Sequence, residues 1–193
     1  SIFITAATLV GAGVIRANGG DEGWSCSAGG GRVAVILTAG DFSGYSGTMS
    51  AYGGVQGVRG AAGTVYRQAA GAVAGEGTVT VDNGATPTNQ TFTSLPAFRD
   101  SRENIGKTVW VTTNYARVGL VTNTAISLLT LNTMGILELS GSTLTVRRLT
   151  VTNKVYRSGV FGPHDTPISA LTDSGANGKV IVTGAFGSVF VVR

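Results

Sequence analysis

The chain has 193 residues, 30 of them glycine, with 42% apolar and 12% charged residues and a net charge of +4. Glycine lies far above its average share of roughly 7% and charge at about half the usual quarter, a strand-and-turn composition rather than a disordered or helical one. The basic residues are scattered, with no run longer than Arg147-Arg148, and the longest apolar run is Val33-Ala34-Val35-Ile36-Leu37. A nucleic-acid surface would cluster its cations and a spanning helix needs about 20 apolar residues, so the expectation is no nucleic-acid partner and no membrane insertion.

The chain opens on the strand Ser1-Ile2-Phe3-Ile4 and then writes one pattern three times. Gly13-Val14-Ile15-Arg16-Ala17-Asn18-Gly19-Gly20 returns as Gly47-Thr48-Met49-Ser50-Ala51-Tyr52-Gly53-Gly54. It returns again, looser, as Gly77-Thr78-Val79-Thr80-Val81-Asp82-Asn83-Gly84. In each copy the third and fifth places are apolar and their neighbours mostly polar, the period-2 alternation of a half-buried strand. A second strand precedes each later copy, Arg32-Val33-Ala34-Val35 and Thr64-Val65-Tyr66-Arg67. Units that cannot bury their apolar faces alone, repeated at such a period, predict a solenoid, with Ile15, Met49 and Val79 in one interior column.

Residues 85–107 break the pattern with Pro87, Pro96 and the charged cluster Arg99-Asp100-Ser101-Arg102-Glu103, and read as an insertion holding one short helix candidate near residues 96–104. From residue 108 onward strands come densely, with Leu137/Leu139, Leu144/Val146 and Leu149/Val151 facing one side. A second protrusion is expected over residues 156–177, with Pro163, Pro167 and the single His164. The chain begins and ends in mid-pattern, which reads as a mature or excised piece of a longer precursor.

The copies resemble a glycine-rich repeat of very large surface and secreted bacterial proteins. The resemblance rests on Gly29-Gly30-Gly31-Arg32-Val33-Ala34-Val35, Met49-Ser50-Ala51-Tyr52-Gly53-Gly54, Ala62-Gly63-Thr64-Val65-Tyr66 and Val81-Asp82-Asn83-Gly84. Residues 126–153 are similar, more loosely, to autotransporter-passenger coils. The resemblance implies a right-handed parallel β-helix on an extracellular protein, and it carries no catalytic residues. Arg67 departs from the pattern, standing where an apolar residue is usual.

Candidate chemistry is sparse. Glycoside hydrolysis wants two carboxylates on one cleft, and the ten acids are scattered, Asp21-Glu22 in a loop and Glu76 and Asp82 flanking a strand. Cys26 is alone, and His164 lies in Gly162-Pro163-His164-Asp165, a turn sequence. Loop carboxylates such as Asp21, Glu22 and Asp82 suit calcium but lack the spacing of a calcium-binding repeat. Trp24 and Tyr52, with Tyr45 and Tyr66, read first as rings that cap glycine turns or stack in ladders, with sugar stacking as the functional alternative. Asn89-Gln90-Thr91 has the form of a glycosylation sequon.

The expectation is therefore one all-β domain over residues 1–193, a right-handed parallel β-helix of about six turns with two loop insertions. Its predicted role is a non-catalytic extracellular or cell-surface structural protein, without a cofactor. Head-to-tail self-association would run through Ile2, Phe3 and Ile4 at one end and Val189, Phe190, Val191 and Val192 at the other. The alternative is a carbohydrate-binding or carbohydrate-active module that meets surface polysaccharide.

Overall fold

The computed structural model describes residues 1–21, 25–84, 92–95, 109–132, 134–163, 170–175 and 177–184. Among the described residues the fold is all-β, with sixteen strands and no helix. The first half holds β1 (Ile2–Ala6), β2 (Val14–Arg16), β3 (Arg32–Leu37), β4 (Thr48–Ser50), β5 (Thr64–Gln68), β6 (Thr78–Asp82) and β7 (Thr93–Ser94). Then come β8 (Val109–Thr113), β9 (Arg117–Gly119), β10 (Thr124–Leu131), β11 (Ile136–Glu138) and β12 (Thr143–Val151). The remainder are β13 (Lys154–Tyr156), β14 (Gly159–Phe161), β15 (Leu171–Thr172) and β16 (Lys179–Val182).

A large main sheet takes the order β1-β3-β5-β6-β8-β10-β12-β16-β14, with β13 paired to β12 off that path. A second sheet takes β15-β11-β9-β7, and β2 pairs with β4 alone. Most pairings among the described strands are parallel, and the parallel partners lie far apart in sequence: Ile2 beside Val33, Val33 beside Val65, Val79 beside Trp110, Val118 beside Leu137. Parallel partners need a crossover connection, here supplied by passage through the smaller sheets.

The main sheet changes direction once in its middle. β5 and β6 are antiparallel, with Val65 opposite Thr80 and Tyr66 opposite Val79. Residues directly opposite share a face of the sheet. Val65 packs with Val33, Val35, Leu37, Met49 and Ala51 in a first core, whereas Val79 and Val81 pack with Trp110, Leu129, Leu144, Leu149 and Val180 in a second. The two cores therefore lie on opposite faces of one continuous sheet.

This corrects the three-membered interior column. Ile15 does stand beside Met49 in the β2–β4 pair. Val79 instead pairs with Tyr66 and Trp110, on the other face and in the other core. The reversal has a local cause: Gly71 and Gly75 adopt φ of 81° and 84°, values costly for any side chain. The Gln68 side-chain oxygen then accepts from Gly75 N–H at 3.3 Å and from the Tyr66 hydroxyl at 2.6 Å, tying the hairpin. A Cβ on Gly77 would strike the Tyr66 ring and the Arg67 carbonyl, so the returning strand hugs the one it left.

Glycine in the first segment has a packing role. A Cβ on Gly30 would fall on the carbonyl of Ala51, on Gly63 on that of Gly31, and on Gly60 on that of Ala28. Main chain lies directly against main chain there, joined by bonds such as Gly31 N–H to Ala17 O at 2.7 Å and Gly54 N–H to Ala28 O at 2.9 Å. Side chains have no room in that layer.

Leu137, Leu139, Leu144, Val146 and Leu149 do share one core, with Val151 packed against it. The stretches 144–146 and 149–151 are one strand, β12, whose alternation slips at the exposed pair Arg147-Arg148. β10 slips at Ser127-Leu128, and Leu128 pairs with Arg148, so Ile126 and Leu129 of β10, like Val146 and Leu149 of β12, stay inward on either side of a matched bend. Two expected excursions are woven into the fold. Within residues 85–107, Thr93–Ser94 forms β7 and Leu95 is fully buried. Within residues 156–177, Tyr156 and Leu171 join the second core and β14 pairs antiparallel with β16.

Candidate functional site

Asn and Asp recur at the ends of short strands, where their side chains compete well for backbone N–H groups. Here they bond across neighbouring passes of the chain. Asn18 Oδ1 accepts from Tyr52 N–H at 3.0 Å and from the Ser50 hydroxyl at 2.9 Å. Asp21 accepts from Val55 N–H at 2.5 Å, and Asn83 from Gly53 N–H at 3.0 Å. Asp82 accepts from Gly84 N–H at 2.8 Å and from the Asn114 amide at 2.9 Å. Asn123 accepts from Thr143 N–H at 2.8 Å.

The second segment is stapled by two carboxylates. Asp173 Oδ1 accepts from Gly141 and Gly175 N–H at 2.6 and 3.0 Å, and Oδ2 from Gly178 N–H at 2.7 Å. Glu138 is buried and lies 3.5 Å from the Arg117 guanidinium. Burial alone pushes the Glu138 carboxyl up, but bonds from the Ser174 backbone and side chain, the Thr172 hydroxyl and Ser140 N–H outweigh it and hold the group below its ordinary value. The described residues contain no cluster of three or more His, Cys, Asp or Glu able to hold a metal. Asp21 and Asp82, the acids weighed for calcium, are engaged as above; Glu22 lies outside the described residues.

The tyrosines sit on glycines. A Cβ on Gly84 would meet the Tyr52 ring, on Gly47 the Tyr45 ring and on Gly77 the Tyr66 ring. Tyr45 also donates to the Gly13 and Thr48 carbonyls at 2.6 and 3.1 Å. Tyr52 is half-buried, and burial, then the nearby Asp82 charge, raises its phenol above the ordinary value. Tyr52 therefore uses ring surface to cover a turn, while Trp24 lies outside the described residues. Arg67 turns to solvent, with its guanidinium 5.6 Å from the Phe42 ring centre.

At the β1 end, Ile2, Ile4, Ala6, Leu9, Ile15 and Ala17 pack on the first core yet stay only half-buried, and Phe3 on the opposite face is 70% exposed. No described strand lies on the outer edge of β1. At the other end β14 covers β16, and Val160 is exposed. Val189, Phe190, Val191 and Val192 lie outside the described residues, as do His164, Asn89 and residues 96–104.

Sequence reasoning missed a crevice of about 810 Å³ between the two segments. It is bordered by the glycine tracts around Gly30 and Gly63, by Val79, Leu95 and Trp110, and by Arg32. Trp110 stands beside Val79 on β8 and packs in the second core. The chain matches no protein-family model, no curated protein and no solved structure.

Proposed function

We propose that the chain is a non-catalytic structural module, wound as a right-handed parallel β-solenoid in two segments. Three main-sheet passes precede the β5–β6 reversal and five follow it. Crossovers between parallel strands of one sheet are right-handed in about 98% of cases, which supports the hand. Reversing strand direction and core face together is a half-turn about the axis along which strands stack. A rotation leaves the hand of a coil unchanged, so both segments keep one winding.

The observation that carries the non-catalytic reading is the use made of the carboxylates. Asp21, Asp82, Glu138 and Asp173 each accept hydrogen bonds that tie neighbouring passes or their turns. A carboxylate committed to such donors is poorly placed to exchange protons with a substrate.

Self-association runs through the β1 edge in this reading. Reversals at β5–β6 and at β16–β14 cancel, so β1 and β14 run in the same direction at the two ends of the main sheet. One copy's β14 can thus pair in parallel with the next copy's β1, a heterologous contact that propagates as a fibre. Extracellular or cell-surface placement rests on the resemblance of the glycine-rich motifs. Incubation with acidic and neutral polysaccharides, with electron microscopy of the same preparation, tests the proposal. It expects no product release and fibres that Phe3→Asp or Val160→Asp shortens. Released oligosaccharides, or monomers at high concentration, contradict it.

A further inference from the structure

We propose that Asn177 is a self-modification site, at which the Gly178 main-chain nitrogen displaces the amide of the Asn177 side chain. This goes beyond the structural role and does not depend on assembly. The Asp173 carboxylate acts here on one of its own tying donors, so no substrate is involved.

Asn followed by Gly occurs three times, at Asn18-Gly19, Asn83-Gly84 and Asn177-Gly178. In such a pair the next main-chain nitrogen can close a small ring on the side-chain carbonyl carbon, and glycine has no Cβ to block the approach. The fold treats the three pairs differently. Asn18 Oδ1 accepts from Tyr52 N–H and the Ser50 hydroxyl, while Gly19 N–H donates to the Tyr52 carbonyl at 2.8 Å. Asn83 is 1% exposed and its Oδ1 accepts from Gly53 N–H. Both amides are pinned to a neighbouring pass of the chain. Asn177 is exposed, and its side chain bonds to none of the described residues.

The Gly178 nitrogen is held ready for the attack. Its N–H donates to Asp173 Oδ2 at 2.7 Å, which places a general base on the proton that must leave. An N–H bond lies in the plane of its peptide, and the nitrogen attacks out of that plane, so the carboxylate does not stand in the way. Gly84 N–H has a similar partner in Asp82 Oδ1, but the Asn83 amide beside it is buried and held. A free amide next to a carboxylate-bound nitrogen singles out Asn177. Glycine is also required at this place, because a Cβ on Gly178 would strike Leu139 and the Asp173 carboxyl. The packing thus keeps the reactive pair in the chain.

The step balances within the chain. A bond forms between Gly178 N and Asn177 Cγ, and the Cγ–Nδ2 bond breaks. The Gly178 proton passes by way of Asp173 to the departing nitrogen, which leaves as ammonia. Water then opens the cyclic imide at either carbonyl, leaving aspartate or isoaspartate at position 177. Either product adds a negative charge beside Asp173, and isoaspartate lengthens the main chain just before β16.

The full chain is incubated folded at neutral pH, with a second sample in urea, and both are digested and mapped by mass spectrometry for ammonia loss and isoaspartate. In the folded chain Asn177 is expected to react no more slowly than in urea, and about tenfold or more ahead of Asn18 and Asn83, whereas in urea the three become comparable. Asp173→Asn is expected to slow the reaction at residue 177 by about tenfold or more. A looser turn alone would speed it, so the fall reads the carboxylate and not the packing. A folded chain in which Asn177 lags its rate in urea, or in which Asn18 or Asn83 keeps pace with it, overturns the proposal. So does an Asp173→Asn chain that reacts as fast as the parent.

Discussion

Tyr66 stands directly opposite Val79 across β5 and β6, and both side chains contact the second core although Val65, one residue before Tyr66, belongs to the first. One step along one strand thus crosses from one core to the other. The β5–β6 pair joins two segments of the sheet whose cores lie on opposite faces, and the crevice is lined by residues of both.

Main-chain contact makes some glycines irreplaceable and leaves others free. Gly63→Ala, whose Cβ would fall on the Gly31 carbonyl, is expected to lower stability by about 1–3 kcal/mol or more, as overpacking does. Gly13→Ala, with open space around its Cβ, is expected to stay within about 1 kcal/mol of the parent. Urea unfolding of the two variants checks the contrast.

Asp173 ties Gly141, Gly175 and Gly178 together through their three backbone donors. Charge-assisted bonds of this kind contribute about 1.5–3 kcal/mol each, and their losses do not add. Asp173→Ala should therefore lose about 2–4 kcal/mol by the same measurement, and Asp173→Asn less. Equal losses in the two variants would show that the charge is immaterial.

The Glu138 carboxyl is held below its ordinary value of 4.5 in the folded chain. A depressed carboxylate contributes stability that is present above its unfolded value and is lost as pH falls through the folded one. Stability should accordingly fall as the pH drops below about 4.5, and Glu138→Gln should be less stable at neutral pH with a flatter acid limb. Thermal unfolding from pH 3 to 7 reads this directly. An unchanged acid limb in Glu138→Gln would assign the acid sensitivity to other groups.

The sequence made the alternation legible and left the faces hidden. Met49/Ala51 and Val79/Val81 carry the same period-2 signal, because alternation says which residues share a face, not which side of the sheet that face is on. Direction was decided elsewhere, by Gly71, Gly75 and the Gln68 side chain, in a stretch with no alternation of its own. Leu144 and Leu149 were readable as core because each belongs to its own short alternating stretch, 144–146 and 149–151. The bend at Arg147-Arg148 that reconciles them depends on the matching bend in β10. Arg32 and Trp110 meet at the crevice only because the sheet reverses between them, and no local spacing records that.

The reversal itself is tested most directly by cysteine cross-linking in a Cys26→Ser background. Opposed residues of an antiparallel pair lie about 4.5–5.5 Å apart at Cα, within the span of a disulfide. Val65 and Thr80 also line one recess beside the first core. The predicted result is a disulfide in Val65→Cys/Thr80→Cys and none in Met49→Cys/Val79→Cys. Efficient cross-linking of the Met49/Val79 pair with none in the Val65/Thr80 pair would contradict the opposed cores and restore a single interior column.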